Sequence, residues 1–165
     1  MALITSVQFA LASSLTGTQD HGTPTFAGML TKTLALANGT AINQADKLFM
    51  DQRIVAAGAT DSIDLAAALT DALGATFLPA KLKLIVCFAA VANTVNLTIG
   101  RPAAGVPFTS ATATLTLAPG GGFVLFNPSL AGIAVTATTA DLIDIVAAAG
   151  SGNQTFDIAL VGTST

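Results

Sequence analysis

The chain has no tryptophan, no tyrosine and no glutamate, and it has a single cysteine and a single histidine. Each absence excludes something. With one cysteine, Cys87, no internal disulfide can form, so the fold is not a small stapled scaffold. Cys87 lies inside KLKLIVCFAAV, where a buried small hydrophobe is the expected role. With one histidine, His21 in a Gly/Asp-containing loop, a Ser–His–Asp triad would need that loop held against a distant serine. Zinc usually takes roughly three or four His, Cys or carboxylate ligands, which one His and one Cys do not supply. Without Tyr or Trp, a sugar-stacking platform would rest on phenylalanine alone.

Charge is also scarce. Charged residues make up 9% of the chain, well below the roughly 25% of an ordinary domain. The six Lys and Arg residues are scattered singly, whereas a nucleic-acid footprint needs clustered basic charge. Nucleic acid is therefore not an expected partner. No apolar run approaches the ~18 residues of a membrane-spanning helix, and a membrane is not an expected partner either. The opening segment MALITSVQFALASSLTG lacks a positive start and is interrupted by Gln8, so it reads as mature structure.

What remains is apolar: 52% of the residues, in a chain of 165 that is long enough for one real core. So few charges cannot cover such a molecule. Either Thr, Ser, Asn and Gly coat it, or part of its outside is buried against other chains.

The dominant pattern has period two. In NTVNLTIG, Val95, Leu97 and Ile99 alternate with Thr94, Asn96 and Thr98. TATLTLAP alternates Ala113, Leu115 and Leu117 with threonines, and NQTFDIALVG sets Phe156, Ile158 and Leu160 on one side. Such alternation marks strands with one buried face. Asn38-Gly39, Pro119-Gly120-Gly121-Gly122 and Gly150-Ser151-Gly152-Asn153 are turn chemistry. Short strands separated by such turns indicate an all-β, two-sheet sandwich, jelly-roll-like, with at most one or two short helical turns.

LITSVQFALASSL and FAGMLTKTLALANG read as two further strands around a polar loop at Thr16–Pro24. Residues 1–165 are expected to form a single domain, with residues 1–34 acting as an N-terminal arm or edge-strand extension. The stretch ATDSIDLAAALTDALGATF, residues 59–77, is ambiguous. Ile63 and Leu65 alternate with Ser62 and Asp64, but Ala and Leu favour helix and Gly74 is a natural stop. The expectation is strand to about Ala66, a short helical turn, then strand from Thr76. The expected core comprises Leu82, Leu84, Val86, Val95, Leu97, Ile99, Leu115, Phe123, Leu125, Ile133, Val135, Ile143, Ile145, Phe156, Ile158 and Leu160.

No constellation carries chemistry. Asp61 and Asp64, and Asp141 and Asp144, are three apart, which on a strand puts each pair on opposite faces. Asp141 reads as a turn cap. PGGGF has no Lys-Ser/Thr after it and no helix start, so it is a hairpin rather than a phosphate loop. No catalytic, cofactor-binding or metal-binding residue is expected, and no cofactor.

The order of segments carries a resemblance. NGTAINQADKLFMDQRIVAAGATDSIDLAAALTDALGATFLPAKLKLIVC (Asn38–Cys87) is followed by NTVNLTIG, LAPGGGFVLFNP, GIAVTATTADLIDI and FDIALVGTS. Together, over roughly residues 35–163, these resemble a family of small tailed-bacteriophage virion proteins. Met50 departs from the pattern, standing where a polar or aromatic residue precedes DQR. The resemblance implies a structural β-sandwich, not an enzyme. It implies a capsid cement or decoration protein on the outer surface of the virion capsid, assembled in the host cytoplasm. Its implied partners are itself, as a homo-oligomer with a trimer as the expected form, and the phage major capsid protein. The alternative is a tail, neck or fibre-associated virion subunit.

Overall fold

The computed structural model describes residues 2–67, 69–111 and 113–165. Met1, Ala68 within the expected helical turn, and Thr112 at the start of an expected strand lie outside the described residues. The chain is all-β. Its strands are β1 (Thr5–Thr16), β2 (Thr25–Asn38), β3 (Gln44–Ala45), β4 (Lys47–Ala56), β5 (Thr60–Asp64), β6 (Leu69–Thr70) and β7 (Thr76–Phe77). They continue with β8 (Lys81–Ala89), β9 (Leu97–Gly100), β10 (Leu115–Leu117), β11 (Gly122–Phe126), β12 (Ile133–Ala134), β13 (Leu142–Ala147) and β14 (Asn153–Thr163).

Two sheets pack face to face. One has the order β10-β9-β13-β5; the other runs β11-β8-β14-β4, with β12 also pairing β8. These orders make a sandwich; they do not by themselves make a jelly roll. Between the sheets, Ile63, Leu97, Ile99, Ile143 and Ile145 from the first meet Phe49, Ile85, Cys87, Phe156, Ile158 and Leu160 from the second. The alternation read from the sequence is thus the alternation between this core and the outside. At one open side, Arg53 of β4 makes a bidentate bond to Asp61 of β5, 2.6 Å from Nε and 2.8 Å from NH2, tying one sheet to the other. That bond, opposed in part by burial, holds the guanidinium still more firmly protonated.

Three expectations need correction. The expected helical turn is a small antiparallel hairpin, β6 with β7, in which Leu69 faces Phe77 and Thr70 faces Thr76. The reason is aspartate. Asp64 Oδ1 accepts the Ala66 and Ala67 amides at 2.9 and 3.0 Å. Asp71 Oδ1 accepts those of Leu73 and Ala75, both at 2.8 Å. Side chains that capture nearby amides compete with helix, and Gly74, at φ 82°, closes the turn.

The second correction concerns the core expected at Leu82, Leu84 and Val86: Leu82 and Leu84 are buried and Val86 is half-buried, but they do not share one core. Leu82 is in the inter-sheet core, whereas Leu84 and Val86 belong to a second apolar cluster on the outer side. A β-bulge between Val161 and Gly162 shifts the register against β8, and the side chains switch faces across it. A Cβ on Gly162 would sit 2.4 Å from the Lys81 carbonyl, so the bulge needs glycine there. Opposite it, Lys83 is buried and its ammonium donates to the Ser129 and Leu130 carbonyls. Burial, with a smaller push from Lys81, lowers its pKa. Third, Leu115 faces the same side as core Ile99, but it lies on edge strand β10 and remains 38% exposed.

Residues 1–34, expected as an arm or edge extension, are mostly a two-stranded ribbon. β1 and β2 pair from Thr5–Leu36 at the base to Thr16–Thr25 at the tip. At roughly 3.3 Å per residue the ribbon is about 40 Å long. Its base is closed by the Leu3 amide, which donates to Asn38 Oδ1 at 2.9 Å, and pairs in parallel with β3, next to which the Asp46 amide donates to the Gly162 carbonyl of β14 at 3.1 Å.

Candidate interaction surface

The two sheets differ on their outer faces. The four-stranded sheet presents Ser62, Asp144, Thr98 and Thr116, and the Ser62 hydroxyl donates to Asp144 at 2.6 Å. That is an ordinary solvated face. The five-stranded sheet instead presents Leu48, Met50, Gln52 and Ile54 from β4, and Asp157, Ala159 and Val161 from β14. Beside them lie Leu84, Val86 and Phe88 from β8, and Val124 and Phe126 from β11.

One end of that apolar face is covered. Leu36 and Val7, from the base of the ribbon, pack with Leu3 against Leu84, Val161, Leu48, Val86 and Phe126. The other end is open: Met50 is 62% exposed, Ile54 63%, Phe88 47% and Val124 47%. Two hollows meet at Met50. One, of about 190 Å³, is lined by Leu3, Asp46, Leu48, Met50 and Leu73. The other is wider and shallower, about 510 Å³, and includes Gln52, Val86, Phe88, Asp157 and Ala159. Among the described residues Asp157 is the one charged residue that the register places on the outer face of β4, β8, β11 and β14, and it accepts a bond from Gln52 Nε2 at 2.9 Å; Asp46, Asp51 and Asp71 also line the two hollows.

The ribbon is two-faced as well. The register places Val7, Phe9, Leu11 and Leu15 on one side with Phe26, Leu30, Lys32 and Leu34. The opposite side carries Ser6, Gln8, Ala10, Ala12 and Ser14 with Thr25, Ala27, Met29, Thr31 and Thr33. Beyond Val7 and Leu34 the apolar side is uncovered, with Phe9 55%, Leu11 52%, Leu15 72%, Phe26 69% and Leu30 57% exposed. Covering one such side chain is worth at most about 1.5–3 kcal/mol, so the set is a large unused store of binding energy. The tip is different. Thr16–Pro24 is polar, contains Asp20 and His21, and is narrowed by a bridge between Gln19 and Gly22.

The carboxylates examined in the sequence do not converge. Asp61 bonds Arg53, Asp64 holds turn amides, Asp141 accepts the Thr138 amide at 2.6 Å and Asp144 accepts Ser62. Asp141 is thus the turn cap that its position suggested. Cys87 is buried within the sandwich, and its thiol is pushed up to about 12 by burial and, secondarily, by Asp157. His21 sits exposed at the ribbon tip. Among the described residues no three His, Cys or acidic groups cluster as metal ligands would. Among the described residues no helix is long and apolar enough to cross a membrane.

The apolar side of the ribbon was not identified from the sequence as a surface, although its signal was there. Val7, Phe9 and Leu11 alternate with Gln8, Ala10 and Ala12 in the same way as the core strands. What alternation does not reveal is whether anything covers the apolar side. Comparisons with family models, curated proteins and solved structures found no match to this chain.

Proposed function

We propose that the protein is a structural subunit of a phage virion, a cement or decoration protein that associates with itself and stabilises the lattice of major capsid protein from outside. The observation that carries the reading is the unpartnered apolar surface on the five-stranded sheet and along the ribbon. A protein selected to clamp its neighbours needs area and shape rather than a reactive group, and apolar area is what this chain exposes. Low charge suits the same task, because few ions must be stripped of water when the surfaces dock. On this reading the chain is not an enzyme and takes no cofactor. The sequence resemblance over residues 35–163 points the same way.

The test is binding to assembled heads. Purified protein mixed with phage heads stripped of surface proteins should co-sediment at many copies per head and raise their resistance to heat. It should ignore unassembled capsid subunits. Failure to bind heads would end the proposal.

A second reading, a tail, neck or fibre subunit, is favoured by one feature: the polar tip Thr16–Pro24 sits at the end of a long ribbon, where a host-contacting loop would be placed. Immunogold labelling of virions separates the two, as density over the shell for the first and at the tail for the second.

A further inference from the structure

We propose that the apolar side of the ribbon of one copy lies on the open part of the five-stranded sheet's outer face in a second copy, with Lys32 of the ribbon meeting Asp157 of the sheet. The proposal deepens the self-association in the reading above, on which it rests, and names the surfaces that carry it.

The chain itself shows that the two surfaces fit. The base of this ribbon face, Val7 and Leu36, already packs on this sheet face, against Leu84, Val161, Leu48 and Val86. The open area around Met50, Phe88 and Val124 continues from that covered end across the same strands. Within its own chain the outer ribbon leaves that area open: Phe9, Leu11 and Leu30 are exposed, and so are Met50, Phe88 and Val124. The arm of another copy can cover both surfaces.

Charge selects the same pairing. Lys32 is the one charged residue on the apolar side of the ribbon. Among the described residues Asp157 is the one charged residue that the register places on the outer face of the sheet's β4, β8, β11 and β14, with Asp46, Asp51 and Asp71 lining the hollows beside it. Lys32 lies opposite Phe9, and Asp157 lies between Phe88 and Gln52, whose amide donates to it. A single cation meeting a single anion at the middle of an apolar contact fixes register and rejects like surfaces.

The area is sufficient. The free part of the ribbon, about 30 Å long and roughly 10 Å wide, covers about 300 Å² of each surface. Two copies that exchange arms therefore bury about 1,200 Å², the lower end of stable interfaces. A membrane is a poorer occupant, because the apolar residues run along one side while the tip that would enter lipid first is polar.

The experiment is sedimentation velocity on the full chain at tens of micromolar. The wild type should run as an oligomer. Lys32→Asp and Asp157→Lys should each raise the dissociation constant at least about tenfold, and the double variant should recover most of that loss. Leu30→Asn, on a side chain 57% exposed, should weaken association without lowering the melting temperature, which guards against a folding defect in Asp157→Lys. A monomeric wild type would overturn the inference, as would single variants of unchanged mass or a double variant that recovers nothing. An oligomer with these properties that ignores phage heads would leave the arm exchange standing and end the virion assignment instead.

Discussion

Cys87 is a useful place to weigh single residues, because its neighbours leave little ambiguity. It is 1% exposed, its cross-strand partner is Ile158, and its thiol is pushed from an ordinary value near 9 up to about 12, chiefly by burial. Ionising it in the folded state means placing an anion among Ile85, Ile158 and their neighbours. The folded protein therefore holds that proton between about pH 9 and about pH 12, while the unfolded chain releases it. Stability from this group is whole below pH 9 and is lost as pH rises through 12, by up to about 1.4 kcal/mol per pH unit. No tyrosine titrates in the same window to confuse the result. Urea unfolding of wild type and Cys87→Ala across this range should show wild-type stability falling more steeply, and parallel curves would refute the assignment. Gly162 is the backbone counterpart. A methyl group there meets the Lys81 carbonyl at 2.4 Å and Pro79 Cβ at 2.9 Å, so Gly162→Ala should cost roughly 1–3 kcal/mol in chemical denaturation. A neutral result would mean that the bulge tolerates side chains and does not depend on glycine.

At the scale of elements, the ribbon and the sandwich are energetically separate. Between Gln8 and Thr33 every described residue except Gly28 is exposed, and the ladder closes on itself. Replacing Gln8–Thr33 with a two-residue Asn-Gly turn between Val7 and Leu34, which already face each other, should leave a folded sandwich. Its melting temperature should stay within a few degrees of the parent, about what a loss of 1 kcal/mol produces in a domain of this size. Loss of cooperative melting would show instead that the ribbon holds the body together. The same elements show how much could be read from residues alone. Alternation in Leu97–Gly100, Leu142–Ala147 and Asn153–Thr163 was legible because each strand has one face in the core. The switch at Leu82 and Leu84 was not, because a bulge belongs to the pairing of two distant strands and leaves only Gly162 as its trace. The Asp71 turn was hidden by the helix propensity of its alanines and leucines. The ribbon's strands were visible; that their apolar side has no cover was not, because periodicity records which way residues point and not what they meet.

For the whole molecule, the balance of charge and apolar area decides what kind of association to expect. A net charge of −3 spread over 165 residues produces little long-range field, and the six basic residues form no cluster. The contact proposed between copies is mostly hydrocarbon, with one ion pair set among apolar neighbours, where salt screens it poorly. Raising NaCl from about 0.05 M to about 1 M should therefore change the dissociation constant by less than about threefold, and sulfate should tighten association because it strengthens apolar burial. An association driven by scattered surface charges would weaken steeply over the same range, as phosphate-backbone contacts do. Cooling should act in the opposite direction from sulfate, loosening the oligomer as the drive to bury Phe9, Leu30, Met50 and Phe88 fades. Sedimentation across salt and temperature reads both effects. An oligomer that dissolves in salt and is indifferent to cooling would mean that the exposed apolar face is not what holds the copies together.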